Sequence, residues 1–445
     1  MKKLLFVILG VFLILPMVST AFAGGPPPKD VMKGVFLSVD DTARTAEFKK
    51  SGSEETTQLV LGADMEPGDV RINKKVMVSL DKHAGENVIK SIDIMFMDLK
   101  VSKIIALLVI GLIGGLLSGF IGSGGAFVLT PAMMSLGVPG AIAVASNMCH
   151  KFPKAMVGAY KRYKYGQADI KLGLVMAVTA IIGVQIGIII QKYILNHFGN
   201  AGSNLYVSFV FMVVLVFVGG YVLYDAYKLS KGTDEAKVSR LALRMQKINI
   251  PPMIHFKVAK VRISAWITIP VGLFTGMLAA TIAVGGFIGV PGLIYVVGAS
   301  AVVASATELV IAFVMGAWGS IQWGLSGLID IRLTLLILAG SLIGVQLGAL
   351  GTTYVKDYMI KLVMASTMLI VAVSRGAKIP GYLADLNLVA PVNESLAHAL
   401  HQISFWALVT ALASAALIIS VAMIRGMTRA KIEAAGAREG ITTHG

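Results

Sequence analysis

Eleven apolar runs follow one another through most of the chain, at about 102–121, 126–138, 141–160, 172–191, 205–227, 263–282, 286–298, 299–320, 333–351, 358–374 and 403–424. Lipid offers backbone groups no hydrogen-bond partner, so each run that enters a bilayer must satisfy its own amides, which for such segments means helix. A crossing takes roughly 20 residues. The runs 126–138 and 286–298 are shorter than that, and each follows a glycine-rich break, which predicts broken or re-entrant helices there. Only 14% of residues are charged, against about 25% in soluble domains. A string of soluble domains is thereby excluded, and an all-α polytopic membrane protein is expected.

The first hundred residues differ. Lys2 and Lys3 precede the run Leu4 to Leu15, and Ala21-Phe22-Ala23 follows, the three-part pattern of a signal peptide over 1–23. Between 24 and 100, short alternating stretches (Val31 to Val39, Thr42 to Lys49, Gln58 to Leu61, Lys75 to Leu80 and Val88 to Ile94) are separated by turn-forming residues. Period-two alternation of this kind predicts a small all-β extracytoplasmic domain, a barrel or a sandwich.

Basic residues orient the rest. With the start of 101 placed outside, the inner segments carry 19 Lys and Arg and the outer ones four, Lys192, Arg332, Arg375 and Lys378. That asymmetry places the carboxyl terminus in the cytoplasm. The expected order is a first transmembrane repeat over 101–227, a basic cytoplasmic loop over 228–262 lying on anionic lipid, a second repeat over 263–374, an outer loop over 375–402, a terminal helix over 403–424 and a cytoplasmic tail over 425–445. The net charge of +15 belongs to these loops, so nucleic acid is not an expected partner. The single cysteine, Cys149, excludes a disulfide framework or thiolate zinc site within the chain.

The repeat itself is legible. Asp169-Ile170-Lys171-Leu172 followed after ten residues by Gly183-Val184-Gln185-Ile186-Gly187 recurs as Asp330-Ile331-Arg332-Leu333 and Gly344-Val345-Gln346-Leu347-Gly348, at a constant offset of 161. Upstream, Gly119 to Pro131 is similar to Gly276 to Pro291, and Ala145-Ser146 to Ala304-Ser305. The charge count sets Asp169 inside and Asp330 outside, so two inverted repeats with broken helices are expected, and a substrate site near midplane where the helices break. Ser123, Gly124, Gly125, Gly285 and Gly286 occupy those breaks, where backbone amides and a half-helix amino terminus suit an anion.

The run 141–160 holds Asn147, His150, Lys151 and Lys154 on one helical side, with Pro153 expected to kink it. Ionisable groups at membrane depth mark a functional path by default. This stripe suits an anionic substrate. Aligned on Ala145-Ser146, the second half sets Thr307-Glu308 against Met148-Cys149, and Glu308 is the candidate for proton coupling. Gln185 and Gln346 read as interhelical bonding, and the 22 methionines as packing.

The run GLLSGFIGSGGAFVLTP at 115–131, its second glycine break with a proline about 160 residues on, and the Asp before each GVQxG helix resemble the sulfite exporter TauE/SafE family of membrane permeases over about 102–374. The resemblance implies transport of a small sulfur-containing anion such as sulfite or an organosulfonate. The chain departs from the family pattern at NMCHKFPK (147–154), at Ala126 in place of a third glycine, and in its amino-terminal domain. The expected function is a secondary transporter, an exporter, in a bacterial inner membrane, with protons as coupling ion and no cofactor or metal; oligomerisation is left open. One rival is a receptor or scaffold whose β domain binds a ligand. The other is an intramembrane enzyme using Cys149 and His150.

Overall fold

The computed structural model describes residues 30–442 apart from 51–53, 64, 68–69, 71, 73–74, 84–85, 95–98, 100, 123–124, 231–238 and 356. The signal-peptide expectation therefore lies outside the described residues, as do Ser123 and Gly124.

The amino-terminal strands β1 (Asp30–Asp40), β2 (Thr45–Lys50), β3 (Thr56–Leu61), β4 (Lys75–His83) and β5 (Glu86–Ile94) close into a barrel of order β1-β2-β3-β5-β4. Every neighbour pair is antiparallel except β3 with β5. Alternate residues turn inward, and Phe36, Phe48, Leu59, Val76, Val78 and Ile89 make its core. Phe36 and Phe48 meet edge to face at 5.1 Å, the arrangement aromatic quadrupoles favour. Closure is narrowest between β3 and β5, which pair through Val60 with Val88 and Leu61 with Ile89.

Twelve helices follow among the described residues. They are α1 (Val101–Ile121), α2 (Ala126–Ser135), α3 (Gly140–Lys164), α4 (Ile170–Ser230), α5 (Arg240–Gln246), α6 (Ala265–Ile282), α7 (Gly286–Gly292), α8 (Ala301–Leu325), α9 (Ile331–Gly351), α10 (Asp357–Gly376), α11 (Ile379–Asp385) and α12 (Glu394–Thr442). Seven helical segments are long and apolar enough to cross a membrane. Their outward faces carry large apolar side chains such as Val178, Ile182, Ile343 and Leu417, each more than half exposed. On a soluble protein so much exposed hydrocarbon would drive association; facing acyl chains it costs nothing. This is a multi-pass membrane protein with a small β region at its amino-terminal end.

Several expectations change. α4 joins two predicted runs and turns at Gly199, whose φ of 61° and ψ of −160° leave the helical region. Pro153 sits inside α3 without ending it. The segment 228–262 is more than a loop: it contains α5 and a hairpin of β6 (Met253–Phe256) with β7 (Val261–Ser264). The segment 375–402, expected as an outer loop, holds α11 and the first turns of α12, which runs well beyond the predicted 403–424.

The two short segments are where the glycine breaks predicted them. α2 is ten residues long, and α7 continues as a π-helical turn, Leu293–Val297, before stopping. Around them α1 packs on α9, α6 on α4, α3 on α8 and α4 on α10. Glycines set the closeness. A Cβ on Gly183 would meet the Leu273 carbonyl, and one on Gly344 the Leu112 carbonyl. These contacts are backbone to backbone, so nothing flexible can yield. Gly344→Ala is expected to destabilise the fold by about 1–3 kcal/mol, the usual cost of overpacking, read as a lowered thermal midpoint in detergent.

Candidate functional site

α2 and α7 are buried, and their first turns meet through side chains: Phe127 and Phe287, the second residue of each, have ring centroids 4.2 Å apart. Neither N-cap, Gly125 or Gly285, supplies a side-chain cap. No side chain of either cap residue covers the positive ends of these two helix dipoles, although in α7 the Ile288 N–H is already taken by the Gly285 carbonyl at 3.1 Å. Glycine is needed at both caps for a further reason, close approach. A Cβ on Gly125 would strike the Gly114 carbonyl, and one on Gly285 would lie 2.7 Å from the Thr275 carbonyl. Gly286 is the first residue of α7 and fully inside the protein.

α3 crosses beside these ends and carries the polar stripe, all of it buried: Asn147, His150, Lys151 and Lys154. The helix periodicity that grouped them in sequence holds, yet their tasks differ. Asn147 gives both amide hydrogens to α2, at 2.7 Å to the Ala126 carbonyl and 2.8 Å to Thr130 Oγ1. Its oxygen faces His150 Nδ1 at 3.2 Å, and His150 Nε2 lies 2.8 Å from Ser341 Oγ on α9. Asn147 and His150 are thus occupied in holding α2 between α3 and α9. Lys151 donates at 3.1 Å to the carbonyl of Ala283, the left-handed residue (φ 62°) that ends α6 in the other half. Glu308 on α8 is near enough to attract that ammonium. The Glu308 carboxylate lies over Gly289 of α7, where a side chain would collide with it.

Lys154 is different. Its Nζ is buried and has no hydrogen-bond partner among the described residues, and it shares the field of Lys151 and His150. An ammonium with none of its three donors used, inside a membrane protein, is costly unless something else at times neutralises it.

The structure revises one alignment. Asp169 N–H donates to Thr307 Oγ1 and Asp330 N–H to Ser146 Oγ, at 3.1 and 3.0 Å. Ser146 and Thr307 hold equivalent places, so Asn147 corresponds to Glu308, and the pairing of Thr307-Glu308 with Met148-Cys149 is corrected. The shared Ala-Ser dipeptide at 145 and 304 had suggested the wrong register.

Arg162 was counted in sequence only as a basic residue of an inner loop. It is instead buried, donating to the Gly119 carbonyl at the end of α1 (2.9 Å) and to Val302 O (2.7 Å) and Ser305 Oγ (2.8 Å) at the start of α8. Its burial could not be read from a run that also holds Lys161 and Lys164. Two further polar clusters secure the distal ends of the short segments. Arg375 donates to Ser135 Oγ at the end of α2 and to Ser404 Oγ on α12. Asp225 accepts from Tyr295 Oη of the π-helical turn and from Lys361 Nζ of α10, at 2.7 and 2.6 Å. Cys149 is only half-buried, and the His150 imidazole has both nitrogens engaged elsewhere, by Asn147 and Ser341. Among the described residues no group of three or more His, Cys, Asp or Glu converges as for a metal ion.

Uncapped half-helices meeting inside a bundle, beside buried cations, define a class: a membrane permease with discontinuous helices. Residues 107–375 match the family Sulfite exporter TauE/SafE, and the chain belongs to that family. It is 23% identical over 253 residues, 56% of this chain and 89% of the other, to a Bacillus subtilis (strain 168) protein described as "Probable membrane transporter protein YdhB". No solved structure matches the chain.

Proposed function

We propose that this chain is a secondary transporter that exports a small sulfur-containing oxyanion, such as sulfite or an organosulfonate, across a bacterial inner membrane. The observation that carries the reading is the Lys154 amino group, without a hydrogen-bond partner among the described residues and buried on the helix that also clamps one half-helix by its amino-terminal turn. Two uncapped half-helix amino termini and a second ammonium, Lys151, supply the rest of a site for a compact, doubly polar anion. Asn147 and His150 orient α2, and Gly125, Gly285 and Gly286 allow the backbones to approach; Ser123 and Gly124, which lie outside the described residues, are assigned to the same substrate site from the sequence alone. Glu308 serves as the proton-coupling carboxylate beside Lys151.

Alternating access between two inverted halves is part of the proposal. Its support is reciprocity at the offset of 161: Gly183 meets Leu273 as Gly344 meets Leu112, and Gly276 meets Ala180 as Gly115 meets Ser341. In this reading the barrel stands in the periplasm and the α5 and β6-β7 segment in the cytoplasm, an orientation supported by the distribution of basic residues over the helical part of the chain.

Binding of sulfite, thiosulfate, a sulfonate and sulfate to purified protein, measured by calorimetry, tests the substrate class. Saturable binding of at least one sulfur anion, with chloride a poor competitor, is the expected result. Folded protein that binds none of them would refute the assignment.

A further inference from the structure

In discontinuous-helix transporters the carboxyl end of a half-helix is a natural cation site, since its carbonyl dipoles point at the break. Here that place is taken. The chain ends α6 with Ala283 in the left-handed conformation, and its carbonyl accepts from Lys151 Nζ at 3.1 Å. Lys151 belongs to α3, far away in sequence, and is fully buried. The carboxylate of Glu308 supplies the opposite charge, and Gly289 leaves the room in which that carboxylate lies. A carbonyl oxygen at a helix terminus and a buried carboxylate are the hard oxygen donors that an alkali cation takes.

We propose that the Lys151 ammonium is a tethered replacement for a free sodium-class cation, and that removing it uncovers a monovalent cation site formed by the Ala283 carbonyl and Glu308. The inference deepens the proposed function and rests on it, because it concerns the same helices. The groups facing the place are Glu308 from α8, the Ala283 carbonyl from α6, and the neighbouring Lys154 and His150 on α3 itself. Lys154, three residues along α3 and within the field of Lys151, is the second basic group removed in the double variant below. The ammonium, unlike a diffusing ion, cannot leave.

The test is thermal unfolding of the full-length purified protein in sodium, potassium or choline chloride at equal ionic strength, a readout that needs no knowledge of the anion carried. Wild type is expected to unfold at the same temperature in all three salts. Lys151→Ala, and more strongly the double variant Lys151→Ala with Lys154→Ala, should unfold roughly 2–5 °C higher in sodium than in choline, as expected of a ligand bound only to the folded state. Adding Glu308→Gln should abolish the difference. Sodium-specific stabilisation of wild type, or folded variants indifferent to sodium, would overturn the inference. Failure of the anion reading shows separately, as wild type that is sodium-indifferent and binds no sulfur anion.

Discussion

Lys154→Ala is expected to weaken binding of the transported anion by about 10- to 100-fold and to slow transport at low anion concentration in proportion. The magnitude is that of a charge-assisted hydrogen bond, roughly 1.5–3 kcal/mol. It applies because Lys154 Nζ has no other partner among the described residues to absorb its loss. The same reasoning makes the folded state tolerant of the change, since removing an unpaired buried charge relieves a desolvation cost. A variant of normal or raised thermal stability with weakened anion binding is therefore the signature. Asn147→Ala should behave oppositely and lose stability, because it gives up two hydrogen bonds to α2 and one to His150. Calorimetric titration together with thermal unfolding of both variants separates the two patterns.

Arg162→Ala has the largest expected effect on the fold. The guanidinium ties the end of α1, at Gly119, to the start of α8, at Val302 and Ser305. Without it, buried carbonyls lose their donor, and each such group costs about 1–3 kcal/mol. A total near 3 kcal/mol follows, with a thermal midpoint lowered by several degrees. Arg162→Lys should recover little of it, because one ammonium cannot span acceptors that a planar fork reaches on two sides. Lys161→Ala is the neighbouring control. Its ammonium bonds the Gln346 carbonyl near the surface, and the change should stay within about 0.5 kcal/mol.

The contrast between Arg162 and Lys154 marks what a sequence of this kind conveys. Both lie on α3, but Lys154 is flanked by apolar residues and stands out, whereas Arg162 sits among Lys161 and Lys164 and looks like one of a solvated group. Helical spacing placed Asn147, His150, Lys151 and Lys154 on one side, correctly, because a helix fixes direction. It could not divide them into struts and a free cation, since Ala126, Ser341 and Ala283 reach them from elements remote in sequence. The breaks before α2 and α7 were legible because glycine and short apolar length are local properties. The π-helical turn at Leu293–Val297, and the register that makes Asn147 the counterpart of Glu308, were not, being settled by packing and by the Asp169 and Asp330 amides. The five strands of the barrel were read nearly to their ends, while closure through β1 and β4 depends on pairing that alternation does not specify.

The central claim is that these helices carry a sulfur oxyanion across the membrane, and exchange in liposomes addresses it most directly. Vesicles holding purified wild-type protein and preloaded with radiolabelled sulfite should release it in a saturable manner, faster when unlabelled sulfite is outside than when sulfate is, and Lys154→Ala vesicles should require much higher sulfite. Release that is no faster than from protein-free vesicles, with the protein folded and inserted, would contradict the account.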